Sequence, residues 1–146
     1  VPFLVRWPGH VPAGAHREGL VSSMDIAGTV VAAAGADASG LDGRDLRAFL
    51  AGDDDGGRDE LHWDTRWQWA VRRGEWKLRF VEDDSAHAAE IRRVEHTEPG
   101  AGLSLVNLAT DRAEEHDVAS EHPEIVAELL AARAAWRREM DASSVR

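Results

Sequence analysis

The sequence predicts an α/β piece, in which a buried strand leads into a helix, followed by an α+β piece, in which a small antiparallel sheet is packed by a C-terminal helix. Three observations predict it. Residues 2–7 form a nearly continuous apolar run closed by Pro8-Gly9, the pattern of a strand buried on both faces. Between Trp67 and Phe80 the apolar residues recur every second position, as in a half-buried strand pair. From Ile125 to Met140 they recur at helical spacing. Gly52-Asp-Asp-Asp-Gly-Gly57 separates the first pattern from the second and marks a boundary between two structural halves.

Composition narrows the function classes. The chain has 146 residues, enough for one domain or a large piece of one. It has 43% hydrophobic and 30% charged residues, which predicts a soluble, folded chain. Seventeen basic against 27 acidic residues give a formal charge of −10, the wrong sign for gripping a phosphate backbone, so no nucleic-acid partner is expected. There is no cysteine, which removes disulfides, zinc–thiolate sites and a cysteine nucleophile. No apolar run approaches the roughly 18 residues of a membrane span, and no membrane partner is expected. No charged-then-apolar leader is visible. Because the chain opens directly into an apolar strand at Val1, the start of the protein is expected to lie upstream, and the compartment is left open.

In chain order, residues 10–19 read as a loop around Val11-Pro12-Ala13-Gly14. Asp25 suits the N-cap of a helix. Ile26, Val30, Val31 and Ala34 form its apolar face, and Gly35 is placed to end it in the left-handed region. Gly28 costs that helix about 1 kcal/mol relative to Ala. Leu41-Asp42-Gly43 is a turn, and residues 45–50 make a short helical piece. Trp67, Trp69 and Val71 pair with Trp76, Leu78 and Phe80 as a hairpin turned at Arg73-Gly74. Residues 82–102 read as a long loop with a weak strand near 91–94, and residues 103–108 as a third strand. Pro123 suits the first turn of the last helix, whose face is Ile125, Val126, Leu129, Leu130, Arg133, Trp136 and Met140.

No complete active site is spelled out by motif. His10 with His16, and His116 with His122, lack the spacing of a metal-binding helix face and read as solvated loop histidines. Asp53-Asp54-Asp55 lacks the alternation of a calcium loop and reads as linker. Four tryptophans fall between positions 63 and 76. The alternation places Trp67, Trp69 and Trp76 on one hairpin face, where packing under a helix outweighs stacking on sugars or arenes. Lys77, the single lysine, reads as a strand-surface residue able to meet an acidic neighbour or an anionic substrate. No Gly-x-Ser-x-Gly elbow or glycine-rich phosphate loop exists.

The order of the segments carries further. Residues 1–14 (Val-Pro-Phe-Leu-Val-Arg-Trp-Pro-Gly-His-Val-Pro-Ala-Gly), Leu20-Val-Ser-Ser-Met-Asp-Ile26 with Ala33-Ala-Gly35, and Leu41-Asp-Gly-Arg-Asp-Leu46 resemble the C-terminal half of type I sulfatases. Trp69-Ala-Val-Arg-Arg-Gly-Glu-Trp-Lys-Leu78, and Leu105-Val-Asn-Leu-Ala-Thr-Asp-Arg-Ala-Glu114 with His122-Pro-Glu124, are similar to the family's strand pair and closing segment. Each piece is weak alone, but five stand in family order over about 140 residues. The resemblance implies that residues 1–52 end a large alkaline-phosphatase-like α/β domain and that residues 58–146 form the small α+β domain. It implies hydrolysis of a small-molecule sulfate ester by a formylglycine nucleophile beside calcium. None of that machinery maps here. There is no cysteine, no Ser-x-Pro-x-Arg and no Asp-Asn pair, and Asn107, the single asparagine, lies in a strand. No catalytic residue, metal ligand or cofactor site is therefore expected in this chain. Gly28 stands where the family usually has a Pro-Thr pair. One substrate contact is expected from the resemblance: Ser85-Ala-His87 follows Gly74-Glu-Trp-Lys77 at the spacing of a pocket-rim histidine, which makes His87 the candidate. Two rival readings stand beside it, a non-catalytic binding or assembly module and a phosphonate or phosphate monoester hydrolase of the same superfamily.

Overall fold

The computed structural model describes residues 3–54, 57–65, 67–81 and 102–143. The chain divides into two compact units, residues 1–59 and 60–146.

In the first unit, α1 runs over Met24–Ala33 and α2 over Arg47–Ala51. Each ends where a glycine enters the left-handed region, Gly35 at φ +75° and Gly52 at φ +96°, freeing amides to cap the last carbonyls. Leu46, Phe49 and Leu50 form a small core with Val11 and Val21 against it. Gly28 has a packing reason that outweighs its helix penalty. A Cβ there would stand 2.8 Å from the Arg44 carbonyl oxygen and closer still to that of Gly43, so only glycine lets α1 lie against this loop.

Three expectations for this unit are corrected. Residues 3–7 do not form a strand. A strand needs a hydrogen-bonded neighbour, and the four described strands all pair among themselves in the second unit. The face of α1 that reads as core is not buried: Ile26 and Val30 are exposed, and the residues the helix buries are Asp25 and Gly28. Asp25 is also not the N-cap. Ser23 holds that position, and Asp25 sits in the first turn with its carboxylate turned elsewhere. That carboxylate binds Arg58.

The second unit is an antiparallel meander, β1 (Glu60–Asp64), β2 (Gln68–Arg73), β3 (Trp76–Val81) and β4 (Gly102–Asn107), in that spatial order. The hairpin forms as its alternation requires, with Trp69 opposite Phe80, Val71 opposite Leu78 and Arg73 opposite Trp76. Gly74 takes φ +56° in its two-residue turn. The 91–94 expectation lies outside the described residues. The long helix α3 (Pro123–Ser143) lies on one sheet face. There Val71, Leu78, Leu105 and Leu129 form the core, flanked by Trp69, Trp76, Ile125 and Val126. Leu130 and Met140, read as part of the apolar stripe, are exposed. No helix among the described residues is long and apolar enough to cross a membrane.

The outer edge of β4 is closed by the segment before α3. The Asp117 carboxylate accepts from the amides of Leu105 (3.0 Å) and Ala119 (2.9 Å), and the Val118 amide donates to the Leu105 carbonyl at 2.9 Å. An edge so occupied is no template for another chain.

Leu78 is fully buried at the centre of this layer. Leu78→Ala should destabilise the second unit by about 2–5 kcal/mol. Leu130→Ala, on the open side of α3, should stay within about 0.5 kcal/mol. Urea unfolding followed by tryptophan fluorescence reads both, and equal small losses would place the core elsewhere.

Candidate functional site

Three polar constellations stand out among the described residues, and each can be followed to its chemistry. The first is Asp25, the one charged side chain that is fully buried. One oxygen accepts from the Ser22 amide at 2.7 Å and the other from the Arg44 amide at 2.8 Å, while Arg58 donates to both. Arg58 continues to the Asp42 carbonyl at 2.9 Å, and its amide donates to Leu20 at 2.7 Å. Nearby, the Thr29 hydroxyl donates to the Asp25 carbonyl at 2.7 Å and accepts from the Leu46 amide at 3.0 Å. Burial works to raise the Asp25 pKa. The hydrogen bond from Arg58, the two amides and the guanidinium charge outweigh it and hold the carboxyl below its ordinary 3.8. Every acceptor position faces protein, so this carboxylate organises structure and does not face a ligand.

The second constellation joins β1 to α3. The core-side residues of β1 are Glu60, His62 and Asp64, all polar. Asp64 accepts from Arg133 and Arg137, each at 2.9 Å. Glu60 meets the His62 ring at 2.6 Å and accepts from Arg73 Nε at 2.9 Å, and Arg73 also reaches Glu128 of α3. Burial pushes the Glu60 and Asp64 carboxyls up, and their hydrogen bonds and ion pairs bring both below ordinary values. Rings complete the layer. His62 stacks on Trp136 with centroids 4.8 Å apart, Trp69 stacks on Phe80 at 5.8 Å, and the Arg133 guanidinium stands 4.1 Å from the Trp69 centroid. With its faces against Phe80 and Arg133, Trp69 belongs to packing rather than to a ligand platform.

The third lies on the opposite face of the sheet. Lys77 Nζ donates to both Glu114 oxygens at 2.7 Å, and Arg79 donates to the Ser104 hydroxyl at 2.8 Å. Of the two roles read for Lys77, the structure takes the acidic neighbour. Glu114 holds φ +59°, the single non-glycine residue with positive φ among those described. Such a conformation costs of order 1 kcal/mol or more for a residue with a side chain, and the two-oxygen pairing to Lys77 offsets it.

The remaining sequence candidates are dispersed. His10 stacks on Trp7 at 4.6 Å, and His116 is exposed, its amide bound to Asp111. His122 is not a free loop histidine, since its ring packs against Trp76 at 4.9 Å. Sequence reasoning passed over His62 altogether. Its side chain is buried by a stack with a residue 74 positions away, and nothing local signals that. Among the described residues no three His, Cys, Asp or Glu side chains converge on a point where a metal could be held. His87 lies outside the described residues. No nucleophile–base pair is assembled in the parts that are described.

Comparison with known proteins gives the context. No protein-family model matches the chain. It is 38% identical over 95 residues to human arylsulfatase A, a match covering 60% of this chain and 18% of that protein. A solved structure from work on the metabolism of multiple glycosaminoglycans by Bacteroides thetaiotaomicron (BT33336S-sulf) superposes with a TM-score of 0.74 at 26% identity, covering 94% of this chain and 29% of that one. Ps i-CgsB in complex with k-i-k-neocarrahexaose superposes with a TM-score of 0.65 at 25% identity, covering 89% of this chain and 27% of that one. The chain thus spans less than a third of the length of the relatives it matches.

The Asp25 constellation makes a prediction of its own. Asp25→Asn leaves Arg58 without its carboxylate and should cost about 3–5 kcal/mol, as for breaking a buried pair on one side. The pH dependence has a definite sign. A carboxyl held low in the folded state stabilises above its ordinary 3.8, and that contribution fades as pH falls below 3.8 and through the lower folded value. Acid titration of stability should therefore steepen below about pH 4 in the parent chain and flatten in Asp25→Asn. Parallel profiles would show that Asp25 is not a stability determinant.

Proposed function

We propose that this chain is a C-terminal portion of a sulfatase and completes a sulfuric ester hydrolase whose catalytic residues lie upstream. The observation that carries this reading is the 38% identity to human arylsulfatase A over 95 residues. Five sequence segments in family order support it. In this reading residues 1–52 close the large alkaline-phosphatase-like α/β domain and residues 58–146 form the small domain, a sheet packed by α3.

Hydrolysis of a sulfate ester needs a nucleophile for sulfur and positive charge around the sulfate oxygens. The residues of this chain do not fit the groups the family uses for this. There is no cysteine and no Ser-x-Pro-x-Arg to become formylglycine, and no described carboxylate cluster could hold calcium. Formylglycine and calcium are accordingly assigned to the upstream part, and no step is routed through this chain. Lys77 and Arg79 are engaged by Glu114 and Ser104, so they are not assigned to sulfate either. The ligand is proposed to be a small-molecule sulfate ester, and the oligosaccharide bound by Ps i-CgsB supports a small-molecule ligand of some kind.

The test compares the 146-residue chain with the same chain extended by its upstream coding sequence, each assayed on an aryl sulfate. Turnover is expected in the extended protein and none above background in the 146-residue chain. Turnover by the short chain would overturn the assignment of catalysis upstream, and inactivity of both would favour a non-catalytic module.

His87 is the one residue of this chain proposed to touch substrate, as a donor at the pocket rim orienting the anionic ester. In the extended enzyme His87→Ala should raise KM more than it lowers kcat, the signature of binding shared by ground and transition states. Thermal stability should barely move. Unchanged kinetics would remove His87 from the site.

A further inference from the structure

We infer that β1 and α3 enclose a binding site for one water molecule, which accepts a hydrogen bond from Arg133 Nη1 and donates one to Nδ1 of a neutral His62. Two polar atoms carry this. Among the described residues, His62 Nδ1 and Arg133 Nη1 are buried side-chain nitrogens without a hydrogen-bond partner. The His62 side chain is 6% exposed and that of Arg133 13%. Each is held by its other contacts. His62 Nε2 meets Glu60 Oε1 at 2.6 Å, and its ring stacks on Trp136. Arg133 Nη2 donates to Asp64 at 2.9 Å, and its guanidinium lies over Trp69. Neither nitrogen reaches bulk solvent without giving up those contacts. A buried polar atom left unpaired costs about 1–3 kcal/mol, and ordered water is what commonly pairs it.

The cross-seam contacts place the two residues close together. His62 and Asp64 stand two apart on β1, and Arg133 and Trp136 three apart on α3, so each pair shares a face of its element. His62 meets Trp136, and Asp64 meets Arg133. The four side chains are the corners of one quadrilateral, and the two unpartnered nitrogens belong to opposite corners. Two of its walls are aromatic faces, Trp136 against His62 and Trp69 against Arg133. Such low-dielectric surroundings raise the cost of an unpaired group.

Hydrogen-bond sense and charge select the occupant. Ionised Glu60, bound also by Arg73, can only accept, so the His62 proton sits on Nε2 and the neutral ring presents a lone pair at Nδ1. Arg133 Nη1 can only donate. The ligand must therefore accept on one side and donate on the other. A metal cation fails because a guanidinium offers it no lone pair. An anion fails because it cannot donate to Nδ1. The seam also gives an anion no net positive charge, since Glu60, Asp64, Glu128 and Asp141 stand against Arg73, Arg133 and Arg137. Water meets both requirements.

NMR on the 146-residue chain at about pH 8, where a free imidazole is neutral, tests this. Long-range proton–nitrogen correlations of His62 should show the Nε2–H tautomer. Water cross-peaks to the His62 ring and the Arg133 guanidinium should carry the sign of a molecule resident for longer than the tumbling time of the chain. His62→Phe keeps a ring for Trp136 to stack on and removes both nitrogens, so those cross-peaks should be lost at Arg133 while the dispersed spectrum of the sheet persists. A crystal structure of the parent chain should place one ordered water within hydrogen-bond distance of both nitrogens. The Nδ1–H tautomer, or no long-lived water at either residue, would overturn the inference. A cross-peak at Arg133 unchanged in His62→Phe would give the water to Arg133 alone and overturn the shared site. His62 and Arg133 resonances that shift with chloride at constant ionic strength would make the occupant an anion, with the same consequence. Should His62→Phe fail to fold, the tautomer and the cross-peaks of the parent chain decide.

Discussion

The first unit depends on a single buried carboxylate. With three buried apolar side chains in its core among the described residues, it has little hydrophobic area to define how α1, the loop at residues 42–46 and Arg58 come together. Asp25 supplies that definition. It takes two backbone amides and one guanidinium from three separate stretches of chain. Ionisation makes each of these bonds stronger than a neutral one, and removing any partner leaves the others uncompensated in a buried place. Gly28 and Gly43 belong to the same arrangement, since each sits where a Cβ would collide with the backbone across the α1–loop contact.

The second unit solves a different problem. Its sheet is short, so the helix above it is held by layers of unlike character. Val71, Leu78, Leu105 and Leu129 make a dry centre. Around it Trp69 is stacked between Phe80 and Arg133, and Arg133 in turn reaches Asp64 on the edge strand. Arginine suits this place because its planar head stacks on an aromatic face while its edge donates to a carboxylate. The aromatic and ionic contacts thereby form one continuous layer, and on the helix-facing side the edge strand β1 is held through its charged and polar residues, with Leu61 buried on the other side.

The described polar side chains are bound largely to one another. Asp25, Glu60, Asp64 and Glu114 each hold an arginine or the lysine, and His62 and His122 pack against tryptophans.

The sequence by itself determined whatever is encoded between near neighbours. Alternation specified the hairpin and its register, Gly74 its turn, Gly35 the end of α1, and the helical stripe the existence of α3. The apolar run at residues 2–7 reads as a strand by the same local pattern, yet residues 3–7 form none, because pairing is not a local property. Tertiary structure decided the rest. Asp25 and Arg58 are 33 residues apart and Lys77 and Glu114 are 37 apart, and no local pattern says which carboxylate will find which cation. β1 escaped a reading by hydrophobic period because its core-side residues are Glu60, His62 and Asp64, polar groups that become admissible only when Arg73, Arg133 and Arg137 arrive from β2 and α3. The fate of α1's apolar stripe was open for the same reason. Periodicity tells which side chains share a face, but what covers that face depends on surfaces that only a three-dimensional arrangement brings together.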